Sequence, residues 1–229
     1  MKTIGLIGGL SWYSTMDYYR YINQGVNERL GGDEAAEIIL YSVNFGDIKR
    51  LTLEGRWQDI AAIMSDAAKK LEKAGAECVL LGANTMHHIA EEVAGAVGVP
   101  LLHIAEATAA SINSKGIQTV ALLGTKYTMQ FDFYKQKLSA RGITTIIPGS
   151  EDAAYINSSI YEELGKGIFR EETRKKYQDI ILRLTGQGAR GVILGCTEIP
   201  LLIRQEDCPV PVFDTTKLHA AAAVEFSLG

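Results

Sequence analysis

Hydrophobic positions fall into two kinds of segment that alternate along the chain. Short apolar runs bounded by turn residues are typical of buried strands, whereas longer stretches with apolar residues every three or four positions are typical of amphipathic helices. The short runs predict strands at residues 3–7, 38–43, 78–82, 100–104, 119–123, 144–147, 191–195 and 210–213. The longer stretches predict helices near residues 14–29, 56–74, 104–113, 128–140, 151–164, 171–186 and 217–227. This alternation predicts an α/β fold with mostly parallel sheets.

The second half of the chain repeats features of the first. Three pairs of segments correspond in the same order: residues 3–9 with 119–125, 71–83 with 184–196, and 99–102 with 210–213. The repeat predicts two similar α/β halves that face each other, residues 1–115 with 210–229 and residues 116–209. Open parallel sheets bind ligands at the carboxyl ends of their strands, so we expect functional residues in those loops. The alternative is that any two strand and helix units resemble each other.

Composition and charge exclude several classes of protein. The chain has 229 residues, of which 47% are hydrophobic, and a net charge of −4 without a basic run, so nucleic acid is an unexpected partner. Apolar runs such as residues 78–81 are far too short to cross a bilayer, and residues 3–9 read as a first strand rather than a leader. The three cysteines are Cys78, Cys196 and Cys208, an odd number that indicates neither a disulfide framework nor a zinc site. We therefore expect a cytoplasmic protein without a membrane segment.

The first glycine cluster does not have the spacing of a dinucleotide site. Gly5, Gly8 and Gly9 depart from GxGxxG, so a nicotinamide cofactor is not expected, and the absence of a GxxxxGK[ST] segment disfavours a nucleoside triphosphatase. Glycine at this place more simply allows a sharp turn and brings backbone N–H groups close to a small anion.

Cys196 is the strongest candidate for a reactive side chain. It follows a strand and precedes Thr197 and Glu198, where a helix is expected to begin. The positive end of a helix lowers the pKa of a thiol, so the position favours a thiolate near neutral pH. The alternative is a buried, inert cysteine, and for Cys78 and Cys208 that alternative is favoured.

Polar residues also follow the other strand ends. The position equivalent to Cys196 in the first half is Ala83, and the next residues, Asn84 and Thr85, are good helix caps whose neighbouring N–H groups can hold a carboxylate. Thr125 and Thr128 supply hydroxyls in the second half. Alternatively, the threonines only cap their own helix. No Ser-His-Asp set is evident.

Four motifs together resemble the aspartate/glutamate racemase family over essentially the whole chain: Gly8-Gly9, Gly82-Ala83-Asn84-Thr85-Met86-His87, Gly124-Thr125-x-x-Thr128-Met129 and Gly195-Cys196-Thr197-Glu198. The resemblance is greatest to bacterial enzymes with broad or L-specific activity. It implies two pseudo-symmetric Rossmann-like domains with the active site in the cleft between them, no pyridoxal phosphate or metal cofactor, and a homodimer. It also implies a small acidic amino acid as the substrate.

The family mechanism uses one cysteine from each half. A thiolate removes the Cα proton from one face and the opposite thiol protonates the other, while bound donors stabilise the enolate-like charge. By resemblance, Cys196 is the base for the L enantiomer. Substrate binding is assigned by the same resemblance to Gly9, Leu10, Thr52, Asn84, Thr85, Thr125, Thr128, Lys166 and Thr197.

The chain departs from the two-cysteine pattern at Ala83, which cannot carry a proton. Three explanations are open: a natural one-base enzyme in which water reprotonates from the Ala83 side, a variant disabled to trap substrate, or a one-thiol reaction such as the arylmalonate decarboxylation of this superfamily. Residues 45–52 resemble a loop in which relatives place Arg or Gln on the distal carboxylate, and Thr52 stands there, with Arg50 nearby. Glu198 either orients the substrate ammonium or favours the helix start.

Two other kinds of function compete with the racemase. A decarboxylase or cis-trans isomerase of a dicarboxylate also needs only one thiol. A non-catalytic protein could use the same residues to bind an acidic amino acid. Turnover of amino-free dicarboxylates, or binding without Cα exchange, would distinguish these alternatives.

Overall fold

The computed structural model describes residues Met1 to Gly229 and has two compact α/β units. The strands are β1 Ile4–Gly8, β2 Ile38–Ser42, β3 Cys78–Leu81, β4 Thr119–Gly124, β5 Thr144–Ile146, β6 Val192–Gly195 and β7 Val212–Asp214. The helices are α1 Trp12–Leu30, α2 Phe45–Leu53, α3 Trp57–Lys73, α4 Ala90–Ala94, α5 Ile104–Ser114, α6 Lys126–Gln130, α7 Asp132–Ser139, α8 Ser150–Glu162, α9 Glu171–Gly186, α10 Ile199–Leu202 and α11 Thr215–Leu228. None of these helices is long and apolar enough to cross a membrane.

The first unit comprises Met1–His103 and His219–Gly229. Its sheet has the order β2-β1-β3, and all of its strands are parallel. Side chains of β1 and β3 alternate between two separate core clusters, one of which contains Ile7 and Leu81 and the other Leu6 and Leu80. Apolar residues on both faces explain why these strands are continuous hydrophobic runs.

The second unit, Ile104–Leu218, has the parallel sheet order β5-β4-β6-β7. Its central strands likewise bury alternate residues in two clusters: Leu123 and Leu194 in one, Leu122 and Ile193 in the other. The predicted α/β fold with mostly parallel sheets is thus confirmed.

The units divide the chain at different residues from those predicted. Helix α5 and strand β7 fall in the second unit, whereas the sequence grouped them with the first. Strand pairing places β7 in the second unit, because Val212 pairs with Val192 of β6. Helix α5 also belongs to the second unit, because Ile112 packs in the same hydrophobic cluster as Leu122 of β4.

The internal repeat has a structural counterpart where α3 and α9 end. Gly75 and Gly188 have φ angles of 105° and 108°, a region that favours glycine. The following alanine N–H groups donate to the carbonyls of Leu71 and Leu184 at 3.0 and 3.1 Å. Each helix therefore ends in the same turn and leads directly into a buried strand, β3 or β6.

Three local predictions were wrong. Residues 45–52 form helix α2 rather than a loop, because the Asn44 side chain accepts the Gly46 N–H and Ile48 and Leu51 are buried. The single helix predicted at 128–140 is interrupted at Phe131, whose ψ of 155° is extended. The strand predicted at 100–104 is reduced to one bridge between Leu101 and Val79.

Three histidines lie close together inside the first unit. The His87 ring centroid is 4.6 Å from that of His103 and 5.4 Å from that of His219. His219 Nε2 donates to the Leu102 carbonyl at 2.7 Å, so its Nδ1 accepts from the Tyr18 hydroxyl at 2.8 Å. These contacts fit a neutral imidazole. Burial lowers the pKa of His219 to about 4 and lowers that of His87 well below its ordinary value.

This cluster is expected to make the first unit sensitive to acid. Because the folded pKa of His219 is depressed, its contribution to stability is complete above about pH 6.5 and is lost as the pH falls towards about 4, by about 3 kcal/mol in total. Urea unfolding across this range should show the loss, and His219→Gln should reduce the slope. His88→Gln, at a half-buried histidine against Trp57 whose pKa burial also lowers, is the comparison and should reduce the slope less than His219→Gln does. Equal slopes in all three proteins would contradict this origin.

Candidate active site

Neighbouring strands bring the polar residues of the second unit together. Gly124 of β4 pairs with Gly195 of β6, so Thr125 and Cys196 follow adjacent strand ends. A Cβ atom at Gly195 would lie 2.8 Å from the Leu123 carbonyl oxygen, which is too close for a side chain. Glycine at this position therefore permits the close approach of the two strands.

The Cys196 thiol is buried beside a carboxylate. Its Sγ donates to Glu198 Oε2 at 2.9 Å, and the Thr197 hydroxyl donates to the same oxygen at 2.8 Å. Burial, followed by the charge and hydrogen bond of Glu198, raises the pKa of Cys196 well above its ordinary value. Backbone N–H groups of Thr197 and Glu198 act in the opposite direction but are outweighed.

The prediction of a thiolate at a helix start was therefore wrong. Helix α10 contains only Ile199–Leu202 and begins after Glu198. A helix of one turn contributes little field, whereas desolvation and a neighbouring anion both favour the neutral thiol.

Thr125 and Thr128 are buried and contact each other. Thr125 Oγ1 accepts the Thr128 backbone N–H at 3.4 Å and lies 3.3 Å from the Thr128 hydroxyl oxygen. Thr125 thus caps helix α6, as one reading of the sequence allowed. Capping uses an acceptor site of Thr125 and fixes the position of its side chain.

The first unit has a matching strand end. The Gly82 N–H donates to the Ile7 carbonyl at 2.9 Å, so Ala83 lies just beyond β3, beside the end of β1 at Gly8. Gly9 has a φ of 75°, and a Cβ atom there would meet the Val43 carbonyl oxygen at 2.1 Å. The sharp turn predicted at these glycines is present.

The anion site predicted at this turn is occupied in part by the protein itself, because the Gly9 N–H donates to Thr15 Oγ1 at 2.8 Å. Leu10, which follows, is buried. Asn84 has helical backbone angles and its side chain makes no capping bond, contrary to its predicted role as a cap. Thr85 begins a 3-10 turn, Thr85–Ile89, and His87 Nδ1 of this turn donates to the Ala83 carbonyl at 2.9 Å.

Two other predicted substrate residues make contacts of their own. Thr52 is buried in α2 and its hydroxyl donates to the Ile48 carbonyl at 2.7 Å. Lys166 is exposed and forms an ion pair with Glu162 at 3.0 Å. The nearby Arg50 is also exposed and lies 3.6 Å from Asp47 and 3.7 Å from Glu54.

The other two cysteines lie in different surroundings and are not hydrogen-bonded to a carboxylate. Cys78 is fully buried within β3, and burial raises its pKa to about 11. Cys208 is half-buried before Pro209, and burial raises its pKa to about 12. All three cysteines of the chain are free.

The sequence did not reveal the hydrogen bonds that Glu198 makes. The sequence suggested an ammonium partner or a helix start, whereas the side chain accepts hydrogen bonds from both residues that precede it. The sequence feature that could have suggested this contact is the acidic residue two positions after the cysteine in the motif Gly-Cys-Thr-Glu.

Comparisons with known proteins identify the family. A family model described as Asp/Glu/Hydantoin racemase matches residues 7–223. The broad specificity amino-acid racemase RacX of Bacillus subtilis (strain 168) is 28% identical over 159 residues, which cover 69% of this chain and 68% of RacX. A candidate Asp/Glu racemase from Yersinia pestis has a crystal structure that matches with a TM-score of 0.95 and 50% identity over 100% of both chains. An aspartate racemase homologue from Pyrococcus horikoshii OT3 matches with a TM-score of 0.88 and 37% identity, again over 100% of both chains. The chain therefore belongs to the Asp/Glu/hydantoin racemase family, as its motifs predicted.

Proposed function

We propose that the protein is a cofactor-independent racemase of aspartate or glutamate in which Cys196 handles the Cα proton of the L enantiomer. The observation that carries the proposal is the Cys196 thiol at a strand end, hydrogen-bonded to the buried carboxylate of Glu198. Membership of the racemase family and the likeness to RacX support the same chemistry.

In this proposal the thiolate of Cys196 removes the Cα proton, and the electron pair is delocalised into the substrate carboxylate. Donors at Asn84, Thr85, Thr125 and Thr128 stabilise the charge that develops there. Gly9, Leu10, Thr52, Lys166 and Thr197 complete the proposed substrate contacts. The proton returns either from the Cys196 thiol, which restores the L enantiomer, or from water, which gives the D enantiomer.

Alanine at position 83 leads to a measurable difference between the rates of exchange and inversion. Alanine has no proton to deliver, so return from the Cys196 thiol is faster than delivery from water, and the Cα hydrogen is exchanged whenever the thiol takes up deuterium from the solvent before that return. We therefore expect exchange of the Cα hydrogen of the L enantiomer to be faster than inversion. A protein with equal proton carriers on both faces would show the two at similar rates.

Incubation with L- and D-aspartate and L- and D-glutamate in deuterium oxide tests the proposal. NMR measures Cα exchange and chiral chromatography measures inversion, before and after dialysis against EDTA and in the presence of hydroxylamine, which traps pyridoxal phosphate. Exchange of an L acid under all conditions is expected. Absence of exchange with all four acids would contradict the proposal.

The single thiol also favours a second candidate, a decarboxylase or cis-trans isomerase of a dicarboxylate without an amino group. Ala83 supports it, because such reactions need one proton carrier or one nucleophile. Turnover of malonate derivatives or of maleate, without exchange of any amino acid, would favour this reading over the racemase.

We further propose that the protein acts in the cytoplasm as a homodimer, with a small acidic amino acid rather than nucleic acid as its ligand. Three free cysteines suit a reducing compartment. Light scattering should give twice the chain mass of 24.9 kDa. A monomeric mass at assay concentration would contradict the dimer.

A further inference from the structure

The His87 imidazole holds the backbone at the position where the first unit lacks a thiol. Its Nδ1 donates to the Ala83 carbonyl at 2.9 Å, and the residue is only 2% exposed. The ladder between β1 and β3 ends with the pair of Ile7 and Leu81, so the Ala83 carbonyl lies beyond the sheet. A carbonyl oxygen only accepts hydrogen bonds, so Nδ1 carries the proton of the ring. The bond therefore fixes the Ala83 carbonyl and the tautomer of His87 together.

The surroundings of His87 keep its ring neutral and in place. The centroids of the His103 and His219 rings lie 4.6 and 5.4 Å from that of His87. Burial, followed by the two neighbouring histidines, lowers the pKa of His87 well below its ordinary value. His219 is itself hydrogen-bonded through both ring nitrogens. A neutral ring packed against a fixed neighbour has little freedom to leave the Ala83 carbonyl.

The second unit holds the equivalent carbonyl by a different bond. Cys196 is the counterpart of Ala83 in the internal repeat, and its carbonyl accepts the Ile199 backbone N–H at 3.2 Å. Pro200 follows Cys196 by four positions, as His87 follows Ala83, and proline has no hydrogen-bond donor. Each unit thus fixes the residue just beyond its strand end through the carbonyl of that residue, with the main chain in one unit and an imidazole in the other.

We propose that His87 is a positioning residue that fixes residue 83 at the carboxyl end of β3, so that a proton is delivered accurately to the substrate Cα from that side. The inference rests on the proposed racemase function, in which the proton that gives the D enantiomer arrives from the Ala83 side. Delivery depends on where the carrier is held, and a displacement of about 1 Å can cost about 10²-fold in rate. Exchange through Cys196 belongs to the second unit and does not use this bond.

A buried histidine that serves stability alone predicts a different result. Loss of stability lowers the amount of folded protein, so it reduces exchange and inversion by the same factor. Displacement of residue 83 reduces inversion and leaves exchange of the L acid nearly unchanged. The ratio of inversion to exchange therefore separates a positioning role from a structural one.

His87→Leu and His87→Asn test the proposal, because the two new side chains have nearly the same size and only asparagine can donate to the Ala83 carbonyl. Each is made alone and together with Ala83→Cys, and exchange and inversion of L-aspartate and L-glutamate are measured on the same samples. With Ala83→Cys present, His87→Leu should lower the ratio of inversion to exchange about tenfold, and His87→Asn should restore it to within about threefold. Without it, where water delivers the proton, the change should have the same direction and a smaller size.

His88→Leu is the matched control, because His88 lies in the same 3-10 turn and is half-buried against Trp57. It should leave the ratio unchanged. An unchanged ratio in His87→Leu, or equal losses in His87→Leu and His87→Asn, would overturn the inference. If Ala83→Cys gives no gain in inversion, residue 83 delivers no proton and the inference fails as well.

A second measurement needs no substrate. In protein labelled with nitrogen-15 histidine, long-range proton–nitrogen correlations at about pH 7 should show the His87 ring protonated at Nδ1, and its signals are identified by their loss in His87→Asn. A ring protonated at Nε2 alone would overturn the inference. If the Nδ1–H form is present but the native protein exchanges no acid, the proposed function fails and the role of His87 fails with it, while the hydrogen bond stands. If exchange occurs and the ratio is insensitive to residue 87, the function holds and the role of His87 is wrong.

Discussion

Replacement of Cys196 by alanine is expected to reduce the rate of Cα exchange of the L acid by about 10²–10⁴-fold, the usual contribution of one positioned acid or base. The reason is that no other ionisable thiol lies at this strand end, and the carboxylate of Glu198 is a weaker base towards Cα hydrogen than a thiolate. Exchange in deuterium oxide, followed by NMR, measures the effect. Cys196→Ser should retain little more activity than alanine, since a serine hydroxyl ionises far less readily.

Cys208→Ala is the matched control for this experiment. Cys208 is also a free and partly buried cysteine of the second unit, but it lies before Pro209 and not after a strand. Its removal should leave exchange within about twofold of the native rate. Circular dichroism and urea unfolding of both variants verify that they are folded. Native exchange in Cys196→Ala would remove Cys196 from the mechanism and with it the proposed function.

Replacement of Ala83 by cysteine is expected to raise inversion by about 10²-fold or more, with a much smaller effect on exchange of the L acid. The second thiol supplies the proton carrier that alanine lacks. Chiral chromatography of product formed from L-aspartate and L-glutamate measures inversion, and NMR on the same samples measures exchange.

Ala83→Thr and Ala83→Val form the control pair, because the two side chains have nearly the same size and only threonine has a hydroxyl. A gain in threonine over valine would assign the effect to the proton carrier rather than to the filling of space. If cysteine and valine give the same ratio of inversion to exchange, the residue at position 83 does not deliver a proton, and the dicarboxylate reactions become the better reading.

The two strand-end clusters were accessible from the sequence because they depend on local pattern. Cys196 follows the buried strand β6, and the turn at Gly188 that precedes β6 is repeated at Gly75 before β3. Alignment of the chain with itself was therefore sufficient to find Ala83 as the counterpart of Cys196. Polar residues at the carboxyl ends of parallel strands are adjacent whatever the details of packing. This is why Thr125 and Cys196 were expected, and were found, after neighbouring strands.

Predictions that depended on non-local contacts were less accurate. The boundary between the units moved because pairing of β7 with β6 brings Val212 and helix α5 into the second unit. Helix α2 was missed because it has only nine residues, too few turns for a helical period to stand out, and the burial of Ile48 and Leu51 by other elements stabilises the helix. Neither feature has an unambiguous pattern within its own segment.

The sequence by itself determined the α/β class, the internal repeat and the family. These features depend only on the order of apolar runs and glycines along the chain. The direction in which the pKa of Cys196 is shifted was decided only by the tertiary structure. A short helix was expected to lower its pKa, yet burial and the carboxylate of Glu198 raise it. Desolvation and charge proximity depend on which side chains surround an atom in three dimensions, and spacing along the chain does not specify them.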